Sequence, residues 1–336
     1  MNPKNLKAVV KSYHNLHRSL CVEGSPGVGK TQIIQAAAQE LGIKCITKHL
    51  PTMLVEDFGI LFPNGDNSLH YRLPDWFPTL EKDGESGILL FDDRNQGGND
   101  LQKVLANIIQ ARELHGHRLP DGWSVMSTGN RQKDRAGSNK VLSHLRNRET
   151  LVELDVKVED WVEWASGQEI NPFLISFAMF RPQLLNNFEP NQDVNATPRS
   201  WVEGVGRVMD NAVDLPAETQ MECFAGAVGE GPAGEFLSFM KVAESLPSVE
   251  DILADVHNYP VPTEVSIRYA LTGALASATT HKNFGALTDF YLRWDAREFS
   301  VLWVRMMSQY PDNKAYVTWK GWKRWAEKFQ DLIITH

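Results

Sequence analysis

Two stretches of the chain carry the residue types that phosphate chemistry needs. The first, GSPGVGKT (24–31), fits the pattern G-x-x-x-x-G-K-[ST]. Its glycines let backbone N–H groups turn toward phosphate oxygens, and the following helix directs its positive end at the same point. A lysine here neutralises the β- and γ-phosphates, and a threonine hydroxyl is a ligand for Mg²⁺. The pattern predicts an ATP-binding loop made of Gly24, Ser25, Pro26, Gly27, Val28, Gly29, Lys30 and Thr31.

The second stretch, ILLFDDRNQGG (88–98), places two adjacent carboxylates after four apolar residues. Such an apolar run, bounded by turn formers, is typical of a buried parallel strand. Two acids at its end are costly unless a cation or a reaction there requires negative charge. We therefore expect Asp92 to hold Mg²⁺, directly or through water, and Asp93 to act as the base for an attacking water.

The elements that must position these residues alternate between strands and helices up to about residue 157. Strands are predicted at 19–23, 43–50, 88–91, 123–130 and 150–156, and helices at 4–17, 31–41 and 99–113, the last with Asn99 as its N-cap. A short hairpin is predicted at 114–123, whereas residues 51–87 look irregular. The alternation predicts an α/β fold with a parallel sheet covered on both faces. In such a P-loop fold we expect the acidic strand to lie beside the P-loop strand.

Helical periodicity replaces the strands from about residue 158 to the C-terminus. We therefore expect an α/β nucleotide-binding domain at 1–157, a helical lid at 158–235 and a further helical region at 236–336. The motif GEGPAG (229–234) is interpreted as a turn, because no second strand–helix–strand unit follows it. The histidine pairs HNLH (14–17) and HGH (115–117) lack a third ligand nearby in the sequence and are not interpreted as metal sites.

Composition excludes several classes of protein. The chain has 336 residues and a formal net charge of −8, so a surface built for duplex DNA is not indicated. The three cysteines (Cys21, Cys45 and Cys223) are widely spaced and are expected to be buried free thiols. No apolar stretch approaches the roughly 18 residues of a membrane span, and the N-terminal residues lack the apolar core of a signal peptide. We expect a cytoplasmic protein without a membrane partner.

The order of the motifs resembles that of a known family. The P-loop is followed by FDDRNQGG (91–98), STGN (127–130), HLRNRETLVEL (144–154) and ATPRSW (196–201). This order is similar to that of AAA+ ATPases of the MoxR-like group, and the resemblance covers nearly the whole chain. Trp161 and Trp164, together with PRSW, look like the phage and mobile-element branch of that group.

The resemblance implies roles for four further residues. Asn130 matches sensor 1, the polar residue that helps to place the lytic water. Arg148 matches the arginine finger that reaches the γ-phosphate of a neighbouring subunit, with Arg146 as the alternative, and Arg199 matches the sensor 2 arginine at the start of a lid helix. The chain departs from the family at Asp93, where a glutamate is usual. Because an aspartate is one methylene shorter, we expect slow basal hydrolysis with nucleotide binding retained.

The resemblance also implies an assembly and a partner. A finger shared between subunits implies a ring, most often a hexamer, and the family remodels protein partners in a chaperone-like way, often with a von Willebrand factor A domain protein. Residues 56–78 and 113–122 match its substrate-facing loops. Two alternatives from other classes remain open at this point: a nucleic-acid motor or loader, which the net charge does not favour, and a nucleotide-gated switch protein with very slow hydrolysis.

Overall fold

The computed structural model describes residues 1–63, 65, 68–134, 141–211, 215–246 and 248–334. They form two compact units. The first comprises Met1–Val156 and Phe188–Asn191, and the second comprises Lys157–Asn187 and the residues from Gln192 onward. The change of structural class therefore falls next to the expected boundary at residue 157. The further division of the helical part into 158–235 and 236–336 remains a prediction.

A five-stranded parallel sheet forms the centre of the first unit. The strands described in that unit are, in chain order, β1 (Leu20–Gly24), β2 (Lys44–His49), β3 (Ile60–Pro63), β4 (Leu69–Arg72), β5 (Ser86–Asp92), β6 (Glu113–Leu114), β7 (His117–Arg118), β8 (Gly122–Asn130) and β9 (Thr150–Glu153). The spatial order of the sheet is β2–β5–β8–β1–β9, and all its pairs are parallel. The α/β parallel sheet is thus confirmed. The expected adjacency of the acidic strand and the P-loop strand is wrong, because β8 pairs with both and lies between them.

Helices cover both faces of this sheet. The helices of the first unit are α1 (Pro3–Asn15), α2 (Lys30–Glu40), α3 (Leu80–Asp83), α4 (Asn99–Ala111) and α5 (Ser143–Arg146). Side chains of β5 alternate between two buried clusters, because successive strand residues point to opposite faces. Ile88 and Leu90 pack with residues of α1 and α2, whereas Leu89 and Phe91 pack with residues of α4. Burial on both faces explains why β5 is an unbroken apolar run.

Three local expectations are corrected in the first unit. Residues 51–87 are not wholly irregular, because β3 and β4 pair as an antiparallel hairpin. Helix α4 takes Gly98 and not Asn99 as its N-cap, with the extended backbone (φ −61°, ψ 163°) usual at that position. Because glycine has no side chain, no side-chain hydrogen bond caps the helix. Of the three free cysteines only Cys21 is buried, and Cys223 is exposed.

The second unit is helical among the residues that the structure describes. Its helices are α6 (Val158–Ala165), α7 (Pro172–Phe180), α8 (Pro182–Leu185), α9 (Pro198–Ser200), α10 (Arg207–Asn211), α11 (Ala217–Val228), α12 (Glu230–Glu244), α13 (Val249–Ala254), α14 (Val265–Ala278), α15 (Phe284–Leu292), α16 (Glu298–Met307) and α17 (Trp322–Ile334). A π-helical turn, Trp201–Gly206, joins α9 to α10. The turn expected at GEGPAG (229–234) is wrong except at Gly229, which separates α11 from α12. Glu230–Gly234 begin α12, because a proline in the first turn of a helix loses no intrahelical hydrogen bond.

Helix α14 packs closely against α7 in this unit. The contact depends on Gly273, since a Cβ there would lie 2.9 Å from Ser176 Oγ and 3.3 Å from Pro172 O. Aromatic side chains fill the space around the helices, among them Trp303, whose ring stacks on Phe284 at 5.0 Å. Among the described residues no helix combines the length and the apolar character that crossing a membrane requires.

Candidate active site

The loop between β1 and α2 has the backbone that phosphate binding requires. Gly27 and Gly29 adopt positive φ angles of 75° and 89°, which glycine tolerates without strain. Lys30 begins α2, and its side chain is buried against the loop. Its Nζ donates to Gly24 O at 3.0 Å, to Ser25 O at 3.0 Å and to Asn130 Oδ1 at 2.9 Å. The predicted lysine and the predicted sensor 1 residue therefore meet, although 100 positions separate them.

The two predicted Mg²⁺ ligands also meet. Asp92 Oδ1 accepts two hydrogen bonds, each at 2.5 Å. One comes from Thr31 Oγ1 and the other from Thr128 Oγ1, on β8. Hydroxyl and carboxylate oxygens are the donors that a hard cation such as Mg²⁺ prefers. The residues present therefore fit the ion, which Thr31 and Asp92 would hold.

Asp93 lies at the turn that leaves β5, in an unusual backbone conformation. Its φ is +52°, in the left-handed region, where aspartate is found more often than most non-glycine residues. The Asp93 N–H donates to Thr128 Oγ1 at 3.0 Å. Thr128 thus contacts the backbone of one acid and the carboxylate of the other, and it fixes their relative position. Sequence analysis did not identify this role of Thr128, since a threonine within a strand is usually a packing residue.

An amide pair ties the acidic motif to the sensor 1 strand. Asn95 Nδ2 donates to Asn130 O at 2.6 Å, and the Asn130 N–H donates to Asn95 Oδ1 at 3.1 Å. Both residues are buried. Sequence reasoning did not single out Asn95; the polar run after the two acids was the only available signal. Because both backbone groups of Asn130 are held, its side chain is presented to Lys30 from a fixed position.

A fully buried arginine follows the two acids. Arg94 is 1% exposed, and its guanidinium contacts three groups: Cys21 Sγ at 2.8 Å, Glu23 Oε1 at 3.2 Å and Glu149 Oε2 at 3.0 Å. Burial raises the pKa of Glu149, an effect that the Arg94 charge and the hydrogen bond from Ser127 oppose. Burial likewise raises the pKa of the Cys21 thiol to about 12, so this cysteine is a neutral hydrogen-bonding group.

A histidine faces the two acids from the neighbouring strand. His49 ends β2, and the β2–β5 register pairs it directly with Asp92. His49 Nδ1 lies 3.7 Å from Asp92 Oδ2 and 3.9 Å from Asp93 Oδ2. Sequence analysis missed this residue, because its partners become neighbours only through the pairing of two strands.

The predicted arginines occupy different environments. Arg148 Nη1 donates to Ala106 O at 2.9 Å within its own chain, whereas Arg146 is exposed and lies 3.8 Å from Glu23 Oε1. Arg199 belongs to the second unit, where it is exposed at the start of α9. The roles of the three stay predictions. An arginine that was not predicted, Arg131, follows sensor 1 and donates to Ser25 Oγ of the P-loop.

Comparisons with known proteins add little to this geometry. No family model matches the chain, and no curated protein matches it. Among solved structures, the chain is similar to two mutants of RuvB from Thermotoga maritima, with 14% and 15% sequence identity and a TM-score of 0.37 for each. The matches cover 76% of this chain and 75% and 74% of those chains. At such values the likeness assigns neither a family nor an activity to this protein.

Proposed function

We propose that this chain is an ATP-hydrolysing motor of the AAA+ class. The observation that carries the proposal is the meeting of Lys30, Thr31, Asp92 and Asn130, four residues from three separate motifs, at the carboxyl ends of parallel strands. Open α/β sheets bind their ligands at this edge. A buried lysine, a hydroxyl paired with a carboxylate and a loop with two glycines at positive φ together suit a nucleoside triphosphate with its divalent ion.

The side chains divide the work of phosphoryl transfer to water. Lys30 and the P-loop N–H groups bind the β- and γ-phosphates, and Mg²⁺ bound by Thr31 and Asp92 would neutralise charge on those oxygens. Asp93 is the group placed to accept the proton of an attacking water. Asn130, held by Asn95, orients that water. Catalysis of this kind depends mainly on positioning and on electrostatic stabilisation.

Two variants test the proposal. Lys30→Ala removes a charge-assisted contact that contributes about 1.5–3 kcal/mol, so ATP affinity measured by calorimetry should fall about 10- to 100-fold. Asp93→Asn should nearly abolish phosphate release and leave ATP affinity unchanged. Lys103→Ala is the matched control, because Lys103 is an exposed lysine on α4 that pairs only with Asp100 among the described contacts. Equal ATP affinities of the parent and Lys30→Ala would contradict the P-loop assignment.

We further propose a MoxR-like ring, a hexamer, that remodels a protein partner, with a von Willebrand factor A domain protein as a possible companion. Exposed apolar side chains on the β3–β4 hairpin, Ile60, Leu61 and Leu69, support contact with a protein. Tyr71 of this hairpin stacks on His115 of the β6–β7 hairpin at 3.7 Å, so the two hairpins form one surface. Light scattering with a slowly hydrolysed ATP analogue tests the ring; a monomer at all concentrations would refute it.

Arg146 and Arg148, the two candidates for the arginine finger, differ in exposure and in contacts. Arg146 is exposed and its one described ion pair, with Glu23 Oε1, is long at 3.8 Å, whereas Arg148 is less exposed and donates to the Ala106 carbonyl at 2.9 Å. We therefore propose Arg146, the alternative from the sequence, as the arginine that reaches a neighbouring subunit.

A nucleotide-gated switch with very slow turnover is the second candidate, and Asp93 favours it. Its side chain is short, and its left-handed backbone is fixed by Thr128, which limits how far the carboxylate can advance. Phosphate release below one turnover per hour, together with a nucleotide-dependent change in oligomeric state, would support the switch over the motor.

A further inference from the structure

His49, Asp92 and Asp93 bring three ligand atoms of metal-binding type together at the end of β2. One nitrogen and two carboxylate oxygens, one from each residue, all lie within 4.8 Å of one another. We propose that these residues form a second divalent-cation site, distinct from the Thr31–Asp92 position and selective for first-row transition metals over Mg²⁺.

The two oxygens of Asp92 point to different partners. Oδ1 accepts from Thr31 and Thr128, each at 2.5 Å, whereas Oδ2 is the atom that faces His49 at 3.7 Å. Asp92 therefore directs Oδ1 toward Thr31 of the P-loop and Oδ2 toward His49 of β2. The second site therefore does not compete for the Asp92 oxygen that Thr31 contacts. It does engage the Asp93 carboxylate, so an ion bound there and the base role proposed for Asp93 exclude each other.

The spacing of the donors suits a small divalent ion after a slight contraction. Metal–ligand distances of about 2.1 Å place neighbouring ligand atoms about 3.0–3.4 Å apart. The His49 Nδ1 distances of 3.7 Å to Asp92 Oδ2 and 3.9 Å to Asp93 Oδ2 exceed that range by about 0.3–0.9 Å. The two carboxylate oxygens lie within 4.8 Å of each other, so all three donors must move closer together to share one ion. The His49 side chain is 46% exposed, so an ion can enter from solvent and water can complete its coordination.

The donor set determines the class of ion. Mg²⁺ prefers oxygen ligands and gives up its water reluctantly, whereas imidazole nitrogen favours transition metals. One nitrogen with two carboxylates therefore binds Mn²⁺, and more tightly Zn²⁺, in preference to Mg²⁺. This selectivity depends on His49, because the two aspartates alone would offer only oxygen.

The test uses Mn²⁺ as the probe and the full chain without nucleotide, so it stands apart from the proposed ATP hydrolysis. Electron paramagnetic resonance measures Mn²⁺ binding, and its pulsed form detects ¹⁴N modulation from a directly bound imidazole. We expect the parent to show binding with ¹⁴N modulation and competition by Zn²⁺. His49→Gln should weaken Mn²⁺ binding about tenfold or more, by analogy with the loss of supporting groups at metal sites, and should abolish the modulation.

Two further variants keep the test specific. His117→Gln alters another exposed histidine, on β7, and Thr31→Ala alters the P-loop side of Asp92; both should retain the ¹⁴N signal. The proposal is overturned if the parent binds no Mn²⁺, if His49→Gln retains the parent's affinity and modulation, or if Thr31→Ala alone removes binding. Circular dichroism of each variant confirms that the fold is unchanged.

Discussion

Replacing Arg94 by methionine should destabilise the first unit strongly and in a pH-dependent way. Methionine replaces the aliphatic stem of the arginine with an unbranched apolar side chain. It removes the cation that contacts Glu23 at 3.2 Å and Glu149 at 3.0 Å. Both carboxylates are buried. Glu149 would lose the Arg94 charge in a water-poor environment, whereas Glu23 would keep the more distant Arg146, which lies 3.8 Å from its Oε1. Breaking a buried pair by removing one partner costs about 3–5 kcal/mol of unfolding free energy. We expect this cost at pH 8.

The sign of the pH dependence follows from Glu149. Burial raises its pKa in the folded protein, and loss of Arg94 raises it further. At pH values between the pKa of Glu149 in the unfolded chain and its higher pKa in the folded protein, the native state binds more protons than the unfolded state. Stability then falls as pH rises, with a slope of at most about 1.4 kcal/mol per pH unit for one group. Arg94→Met should therefore regain stability relative to the parent when the pH is lowered from 8 toward 5.

Hydrogen exchange of peptides from β5 and β8 measures this effect, because it reads the first unit separately from the second. After correction for intrinsic exchange rates, protection in Arg94→Met should fall about 100-fold or more at pH 8, the equivalent of about 3 kcal/mol. Adding Glu149→Gln should restore at least half of the loss. Lys7→Met, which breaks the exposed Lys7–Glu40 pair at 2.8 Å, is the matched control and should cost about 0–1 kcal/mol. An equal loss at pH 5 and pH 8, unrelieved by Glu149→Gln, would refute this account.

Three further predictions concern turnover. Asp93→Glu extends the side chain by one methylene and should raise the rate of basal phosphate release by on the order of tenfold to 10²-fold. An unchanged or lower rate would show that the length of the side chain at position 93 does not limit hydrolysis. Asn95→Ala removes two hydrogen bonds to Asn130, contributing about 1 kcal/mol each, and should lower kcat about tenfold or more while the Kd for ATP, measured by calorimetry, changes less than threefold. Arg146→Ala should lower turnover of the assembled ring by about 10³-fold, whereas Arg148→Ala should chiefly affect stability; the reverse result in phosphate-release assays would return the finger to Arg148.

Local chemistry made part of the site predictable. The predicted P-loop is recognised by residue types at a fixed spacing, and its lysine contacts the carbonyls of Gly24 and Ser25, which are close to it in the chain. The two acids were identified because negative charge at the end of a buried strand needs a reason. Lys30, Thr31, Asp92 and Asn130 accordingly lie together in the structure.

The parts that were missed depend on pairing between distant segments. The sequence does not reveal that β8 separates β5 from β1, because strand order follows from tertiary packing and not from local pattern. His49 reaches Asp92 only through the β2–β5 register. Sequence analysis assigned no role to Arg94, because its partners Glu23 and Glu149 come from β1 and from the segment before β9 and become its neighbours only in the folded unit. The β3–β4 hairpin was missed because residues 51–87 are rich in Pro, Gly and Asp, a composition that indicates irregular chain.

The unequal exposure of the three thiols makes the natural chain suitable for site-specific labelling. A cysteine thiolate attacks the double bond of a maleimide, so labelling requires both solvent access to the sulfur and a pKa low enough for the thiolate to form. Cys21 is buried with its pKa raised to about 12, and burial also raises the pKa of Cys45. Cys223 on α11 is exposed. A fluorophore should therefore attach to Cys223 first, which marks the second unit without any substitution and allows its motion to be followed as nucleotide is added to the first.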